Sequence, residues 1–262
     1  MRRSSYHSGN SLKIAFIFIC CILLLIAGGF LLKLFLVLRA STFDGVHQYI
    51  LEIDENREHG ALVAFSPATS SITMLQINGR VDNTFGKYLG IPVDGVVSMS
   101  VPENPSELAG DVFIKSSHEK GITIIDKLRL LLFANSLKQD NFHKKTIQLP
   151  IDTATSDTVL PSLFQDTRLY NDNESIAIIN ATGESGVGSE IAHQLGIIGM
   201  NVLSVTTASD EQNATTIIAM HTDTYTVQKI ERLFHVDARS TATTGISDIV
   251  LTIGKESLPA LQ

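Results

Sequence analysis

Three glycines in the C-terminal third of the chain form the pattern that comes nearest to a ligand-binding motif. Gly183, Gly186 and Gly188 lie between a predicted strand and a predicted helix. Backbone amides at a helix N-terminus attract phosphate, so the position would suit a dinucleotide. The spacing, however, is G-x-x-G-x-G rather than G-x-G-x-x-G, and Glu184 adds negative charge. We interpret these glycines and the preceding Asn180 as a tight structural turn.

The other side chains that could ligate a metal or act as nucleophiles lack the spacing that such sites need. Eight histidines are scattered along the chain, and no two of them have the H-x-x-x-H or H-E-x-x-H spacing of a zinc site. Ser185 is followed by a glycine one residue too early for a G-x-S-x-G nucleophile turn. The only cysteines, Cys20 and Cys21, lie in an apolar segment, so no disulfide framework can form outside it. The sequence predicts no metal site.

That apolar segment is the strongest structural signal in the chain. Residues 14–32 form a run of 19 without a polar or charged side chain, and LFLVL continues it after Lys33. At about 1.5 Å per residue such a helix spans roughly 30 Å, the thickness of a bilayer core. A cleaved signal peptide is the alternative, but its apolar region usually has only about 7 to 15 residues. We predict an uncleaved transmembrane helix at 14–38.

The distribution of charge predicts the orientation of this helix. Arg2, Arg3, Lys13, Lys33 and Arg39 are the only charged residues before residue 41. The rest of the chain has 15 basic and 27 acidic residues, a net charge of −12. Because basic flanks favour the cytoplasmic side, we predict a cytoplasmic tail at 1–13 and an extracytoplasmic remainder in the cell membrane. An acidic exterior also gives no support to nucleic-acid binding.

Length and composition predict that two modest α/β (α+β) domains follow the span. In the first, at 42–149, the segments 47–53, 61–66 and 71–77 have the pattern of strands, the last two forming a hairpin. Residues 121–138 have the spacing of an amphipathic helix. Its Asp126 and Arg129 are predicted to form a solvated surface pair.

A linker and a second domain complete the predicted organisation. Residues 150–173 contain two prolines and many Ser, Thr and Asp residues without clear periodicity, which is typical of a linker. Residues 174–256 then alternate in the order βαββαβ, which predicts one sheet covered by two helices.

The C-terminal domain resembles a known family. The segment 175–205, SIAIINATGESGVGSEIAHQLGIIGMNVLSV, has an apolar strand that ends in Asn180, a glycine turn, and a helix that ends at Gly199 before a second strand. This is similar to the LytR cell-envelope-related C-terminal domain, and DIVLTIG at 248–254 is similar to its closing strand. The resemblance covers residues 174–256.

The middle domain resembles, in patches, the LytR-CpsA-Psr domain that often accompanies it. The similar patches are LVAFSPATSSITMLQI at 62–77 and KYLGIPVDGVVSMSV at 87–101. That family moves glycopolymers from a polyprenyl pyrophosphate to peptidoglycan, using acids and arginines that hold Mg²⁺ and the pyrophosphate. Here Arg80 lies one position late for the family's Arg-Asp pair, without an adjacent acid, and Glu58 lies roughly where the first acid belongs.

The resemblance therefore implies a degenerate and inactive relative. An active transferase, the alternative, would need Glu58, Arg80 and Lys87 to converge with Arg57 or Arg129 around Mg²⁺. Our main hypothesis is a non-catalytic, membrane-anchored binding or scaffolding protein that acts in cell-wall maintenance without a cofactor. Its expected partners are the lipid bilayer and either peptidoglycan or proteins of the cell envelope. A third hypothesis assigns partner binding in division or wall machinery to the C-terminal domain alone.

Overall fold

The N-terminal part of the chain is a single long helix. The computed structural model describes residues 9–242 and 245–257, and it divides the chain into two units between Ser41 and Thr42. The first unit contains helix α1 (Gly9–Ala40). Within it, Ala15–Lys33 is long and apolar enough to cross a membrane, judged by length and composition. The predicted tail at 1–13 lies largely outside the described residues.

The second unit begins with a mixed six-stranded sheet. Strands β1 to β3 form two successive antiparallel hairpins, whereas β4 runs parallel to β1 and β6 runs parallel to β3. The strand order is β5-β4-β1-β2-β3-β6. Its elements are, in chain order, β1 (Tyr49–Asn56), β2 (His59–Ser66), β3 (Ser71–Asn78), α2 (Phe85–Leu89), β4 (Gly95–Ser98), α3 (Leu108–Lys115), β5 (Ser117–Lys120), α4 (Ile124–Ser136) and β6 (Phe142–Gln148).

Both faces of the central strands of this sheet are buried, which explains their continuous apolar sequence. On β1, Leu51 and Ile53 join the core under α3 and α4, whereas Ile50 points to the opposite face and joins a second core. Successive side chains of a strand point to opposite faces, so burial of both removes the usual alternation of polar and apolar residues. In β2, every residue from Gly60 to Phe65 is buried.

The segment predicted as a linker is helical instead. It contains α5 (Thr153–Phe164) and α6 (Thr167–Asp172). Leu160, Phe164 and Leu169 are buried in the second core. This burial stabilises the helices, although the sequence of the segment shows little helical periodicity. Pro161 lies within α5, although proline usually disfavours a helix interior.

The C-terminal domain has the predicted βαββαβ order, with one short additional strand. Strand β11 runs parallel to β7 and antiparallel to β9. The strand order is β10-β9-β11-β7-β8. The elements are β7 (Ser175–Asn180), α7 (Val187–Ile197), β8 (Asn201–Thr207), β9 (Thr216–Ala219), α8 (Tyr225–Phe234), β10 (Arg239–Ser240) and β11 (Ile249–Ile253).

The two sheet domains share the second core and a buried ion pair. Lys229 of α8 is 2% exposed, and its Nζ lies 3.0 Å from Asp94 Oδ1. The same ammonium group donates a 2.8 Å hydrogen bond to the Gln48 carbonyl, while Asp94 Oδ2 accepts one from the Ile50 amide at 2.7 Å. Both charges are therefore satisfied by partners from the first domain.

A half-buried cluster extends this contact. Arg232 donates to Asp44 Oδ2 at 2.8 Å, and the His47 ring stacks on Tyr225 with 4.3 Å between the ring centroids. Burial would raise the pKa of Asp44, but hydrogen bonds from His47 and the charge of Arg232 outweigh it and hold that pKa well below its usual range. Burial and the nearby Asp166 carboxylate raise the pKa of Tyr225, so its hydroxyl keeps the proton that it donates to Asp166.

We predict that the buried pair contributes more to stability than an exposed pair does. The substitution Lys229→Met leaves the Asp94 carboxylate buried without its cation and should lower the free energy of unfolding by about 3 to 5 kcal/mol. Lys115→Met, which breaks an exposed pair with Asp111 on α3, should change it by less than about 1 kcal/mol. Urea unfolding in detergent, followed by circular dichroism, measures both. Equal losses in the two variants would contradict the assigned role of Lys229.

Candidate functional site

Two of the residues predicted from the family resemblance line the same hollow. Glu58 and Arg80 flank an open hollow of about 460 Å³, together with His59 and Asn78. The turn between β1 and β2 brings them together, because the Gly79 amide donates to the Glu58 carbonyl at 2.8 Å. His59 Nδ1 lies 3.1 Å from Asn78 Oδ1. The hollow thus offers one carboxylate and one guanidinium group.

The other predicted residues lie elsewhere. Arg57 lines a separate hollow of about 290 Å³ with Asp54 and Asp82. Lys87 lines a cleft between the two domains. The five candidates are therefore spread over several sites and do not line one common pocket.

Arg129 and Asp126 differ from their predicted surface pairing. Asp126 is fully buried and accepts hydrogen bonds from the Thr123 amide at 2.7 Å and from the Phe43 amide at 2.8 Å. Arg129 donates to the Phe43 carbonyl at 2.8 Å. Asp126 thus completes a capping box at the start of α4, and both side chains hold the segment that enters the domain. The prediction of a solvated pair was wrong, because Asp126 is buried as the cap of α4, whereas Arg129 is exposed.

The described residues around the predicted candidates offer few ligands for Mg²⁺. Mg²⁺ prefers several hard oxygen ligands in octahedral geometry. No group of three His, Cys, Asp or Glu side chains in the described part of the chain lies close enough together to hold a metal ion. The hollow at Glu58 has a single carboxylate, and Glu52, which borders the hollow at Arg57, already accepts from two backbone amides.

The glycine turn of the C-terminal domain has the geometry of a packed turn. Asn180 Oδ1 accepts from both the amide and the hydroxyl of Thr182, and its Nδ2 donates to the Glu184 carbonyl at 2.7 Å. A Cβ atom on Gly188 would lie 2.8 Å from Val205 Cγ1, so a larger residue would separate α7 from β8. Gly183 and Gly186 have φ angles of +81° and +90°, which favour glycine.

A further candidate site is a cleft between the two sheet domains. It consists of two adjoining hollows of about 420 and 370 Å³ that share Pro92, Val93, Gln194, Leu233 and His235. Helices α7 and α8 form one wall, and the segment between α2 and β4 forms the other. Volumes of this size are typical of sites for small ligands or extended segments of larger ones.

The chemistry of the cleft changes along its length. Near the C-terminus of α8 its lining is mainly apolar and includes Ile191 and Phe234, while the other end carries Lys87 and Lys120. Both hollows contain the amide of Gln194 and the imidazole of His235. The cleft can therefore hold an apolar group at one end and hydrogen-bond a polar group at the other.

Glu52 lies at the polar end of the cleft. Its carboxylate accepts from the Phe85 and Gly86 amides at 2.7 and 3.1 Å. Burial raises the pKa of Glu52, and these two hydrogen bonds only partly oppose the rise. Apart from Lys87, sequence reasoning assigned no site role to the lining residues, because they lie in six separate segments and no motif connects them.

Comparison with known proteins gives one match. Residues 174–256 match the family model described as LytR cell envelope-related transcriptional attenuator, LytR_C. The match has the same bounds as the predicted resemblance and covers the five-stranded sheet with α7 and α8. No match was found among curated proteins or among solved structures. The likeness of the middle domain to LytR-CpsA-Psr proteins stays a prediction.

We predict that Glu52 makes stability depend on pH. Because its pKa is higher in the folded chain than in the unfolded one, the folded state binds more protons once the pH exceeds about 4, the usual carboxyl range. Its contribution to the free energy of unfolding therefore falls as the pH rises through the raised pKa. The substitution Glu52→Gln removes this loss of unfolding free energy. The variant should therefore gain stability relative to the parent between about pH 4 and 7.

Chemical unfolding at a series of pH values measures this difference. Glu55→Gln is the matched control, since Glu55 lies exposed on the same strand. A constant difference between Glu52→Gln and the parent across this range would contradict the prediction.

Proposed function

Because residues 174–256 form a LytR_C domain, a cell-envelope-related module, we propose that this protein is a membrane-anchored binding protein of the cell envelope. The cleft between the two sheet domains is the ligand site in this proposal, and it is the observation that carries the proposal. Its ligand is a segment of peptidoglycan, whose sugar and peptide groups combine apolar faces with many hydrogen-bonding groups. The protein holds this ligand without altering it.

Helix α1 supports the anchoring. Its apolar window has the length of a bilayer core, and basic residues flank it on both sides. The acidic remainder of the chain then lies outside the cytoplasm, with the N-terminal tail inside. This topology places the cleft in the compartment that contains the cell wall.

The dispersal of the family-derived residues supports a non-catalytic role. Transfer from a pyrophosphate would require a metal ion and several guanidinium groups around one anionic substrate. Arg80 has only Glu58 beside it, while Lys87 and Arg129 lie in other parts of the fold. Such an arrangement can bind a ligand but lacks the charge that would stabilise a developing transition state.

Active glycopolymer transfer is the second candidate function. The observation that favours it is the shared hollow of Glu58 and Arg80, the two residues nearest to the family's motif. In that case Arg80→Ala would abolish transfer from a polyprenyl-pyrophosphate donor in the presence of Mg²⁺. Under the binding proposal neither the parent nor this variant transfers anything.

We predict that the full-length protein in detergent sediments with purified peptidoglycan and that filling the cleft prevents this. Gln194→Trp places a large ring in the lining shared by both hollows and should weaken binding about tenfold or more, which corresponds to about 1.4 kcal/mol. Ser189→Trp is the matched control, because Ser189 lies exposed on the same helix outside the cleft. Sedimentation at a series of peptidoglycan concentrations measures the affinity.

The outcomes separate the proposals. Equal binding by both variants would locate the ligand outside the cleft, and absence of binding by the parent would reject peptidoglycan as the ligand. Transfer that depends on Arg80 would replace the binding proposal with the catalytic one.

A further inference from the structure

Helix α4 buries two charged side chains and exposes three large apolar ones, although Leu130 and Ala134 are also buried and Arg129 is exposed. Asp126 is fully buried and Lys127 is 6% exposed, the latter paired with Glu119. By contrast, Leu128 and Leu132 are 46% and 61% exposed. A helix on the surface of a soluble domain normally has the opposite arrangement. Part of the exposed surface of α4 is therefore apolar, beside the exposed polar residues Arg129, Asn135 and Ser136.

The exposed apolar residues form a continuous stripe. Ile124, Leu128 and Leu132 follow one another at intervals of four, so they lie on the same side of the helix; we call them the α4 stripe. Helix α3, which packs against α4, adds Ile114 with 79% exposure. Single exposed apolar residues are common, but a stripe of this kind marks a surface that binds something.

Helix α4 is hydrogen-bonded to the residues that directly follow α1 in the sequence. Only Ser41 separates the last residue of α1 from Thr42, and two extended residues span at most about 7 Å. Phe43 follows at once and is fixed to α4, because its amide donates to Asp126 and its carbonyl accepts from Arg129. The start of α4 is therefore bonded to the second residue of the chain after Ser41.

We propose that the α4 stripe rests on the lipid bilayer, as a second membrane contact beside the α1 anchor. This inference rests on the proposed anchoring by α1. The stripe inserts between the lipid headgroups, while the buried face of α4 stays attached to its own domain. A helix with one apolar side can lie in the interface plane in this way.

Because α1 tethers the domain to the membrane in this proposal, a small apolar contact is enough to hold the α4 stripe on the lipid. The residues after Ala40 carry a net charge of −12, so an anionic membrane surface repels the domain as a whole. Binding in solution would have to overcome this repulsion, but the tether holds the stripe at a high effective concentration near the lipid. Apolar contact, rather than attraction of charges, therefore carries the interaction. A second copy and another protein are the competing occupants of the stripe.

The absence of tryptophan from the chain allows a direct test. Single substitutions Leu128→Trp and Leu132→Trp in the full-length protein place one fluorescent ring on the stripe. The proteins are reconstituted into phosphatidylcholine vesicles with ordinary or brominated acyl chains, because bromine quenches tryptophan on contact. We expect emission from both rings to be lost in the brominated vesicles.

Two further variants serve as controls. Leu203→Trp, at a leucine of 53% exposure on β8 of the other sheet domain, should keep its emission. Phe30→Trp, within the apolar window of α1, reports the anchor itself and should be quenched. Quenching at Phe30→Trp but at neither stripe position would overturn the bilayer contact and leave the proposed anchoring intact. If neither Phe30→Trp nor the stripe variants lose emission in brominated vesicles, both the proposed anchoring and the proposed bilayer contact are rejected.

Two other patterns also decide the question. Equal quenching of Leu203→Trp and the stripe variants would mean unspecific adhesion and overturn the proposal. Blue-shifted emission from the stripe that bromine does not quench would assign the stripe to a second copy of the protein, and would overturn it too.

Discussion

The buried ion pair between Lys229 and Asp94 is the interaction on which the arrangement of the two sheet domains depends. Moving two charges out of water is costly, so such a pair persists only where further hydrogen bonds satisfy both groups. Here the Gln48 carbonyl, just before β1, and the Ile50 amide, near the start of β1, supply those bonds. A shift of α8 relative to β1 would leave two charges unsatisfied in an apolar core. The pair therefore fixes the relative position of the domains, and with it the width of the cleft, to which Asp94 and Leu233 contribute lining.

The fold was predictable where local sequence patterns agree with tertiary packing. The hairpin of β2 and β3, the helix α4 and the order of elements after Ser175 all follow from periodicity and turn residues. The helices at 153–172 were not predictable in this way. Their apolar residues are few, and they become helical because the shared core needs Leu160 and Phe164 at its edge. Polar residues dominate the sequence of that segment. The sequence therefore gives little sign that its apolar residues pack into the shared core.

The candidate site was less predictable than the fold. Motif reasoning finds residues that are near each other in sequence or that match a family pattern, and it therefore selected Glu58, Arg80 and Lys87. The cleft is instead built by the docking of two domains, so its lining comes from segments more than a hundred residues apart, such as Pro92 and Gln194. No local pattern marks either residue. Their common role depends on the ion pair and on the core between the domains. No local sequence pattern reveals either of these.

The same inversion of polarity explains both the interior and the exterior of α4. Asp126 must lie inside, because it caps the helix and also binds the Phe43 amide at the entrance to the domain. Because Asp126 and Lys127 point inward, their neighbours on the other side of the helix point outward. These are Ile124, two residues before Asp126, and Leu128, one residue after Lys127. For an isolated domain in water this arrangement loses hydrophobic stabilisation on one face. Under the proposed bilayer contact, lipid covers these exposed residues and offsets the loss. In that proposal one helix has two roles, because α4 binds the segment that follows α1 and also supplies the apolar contact.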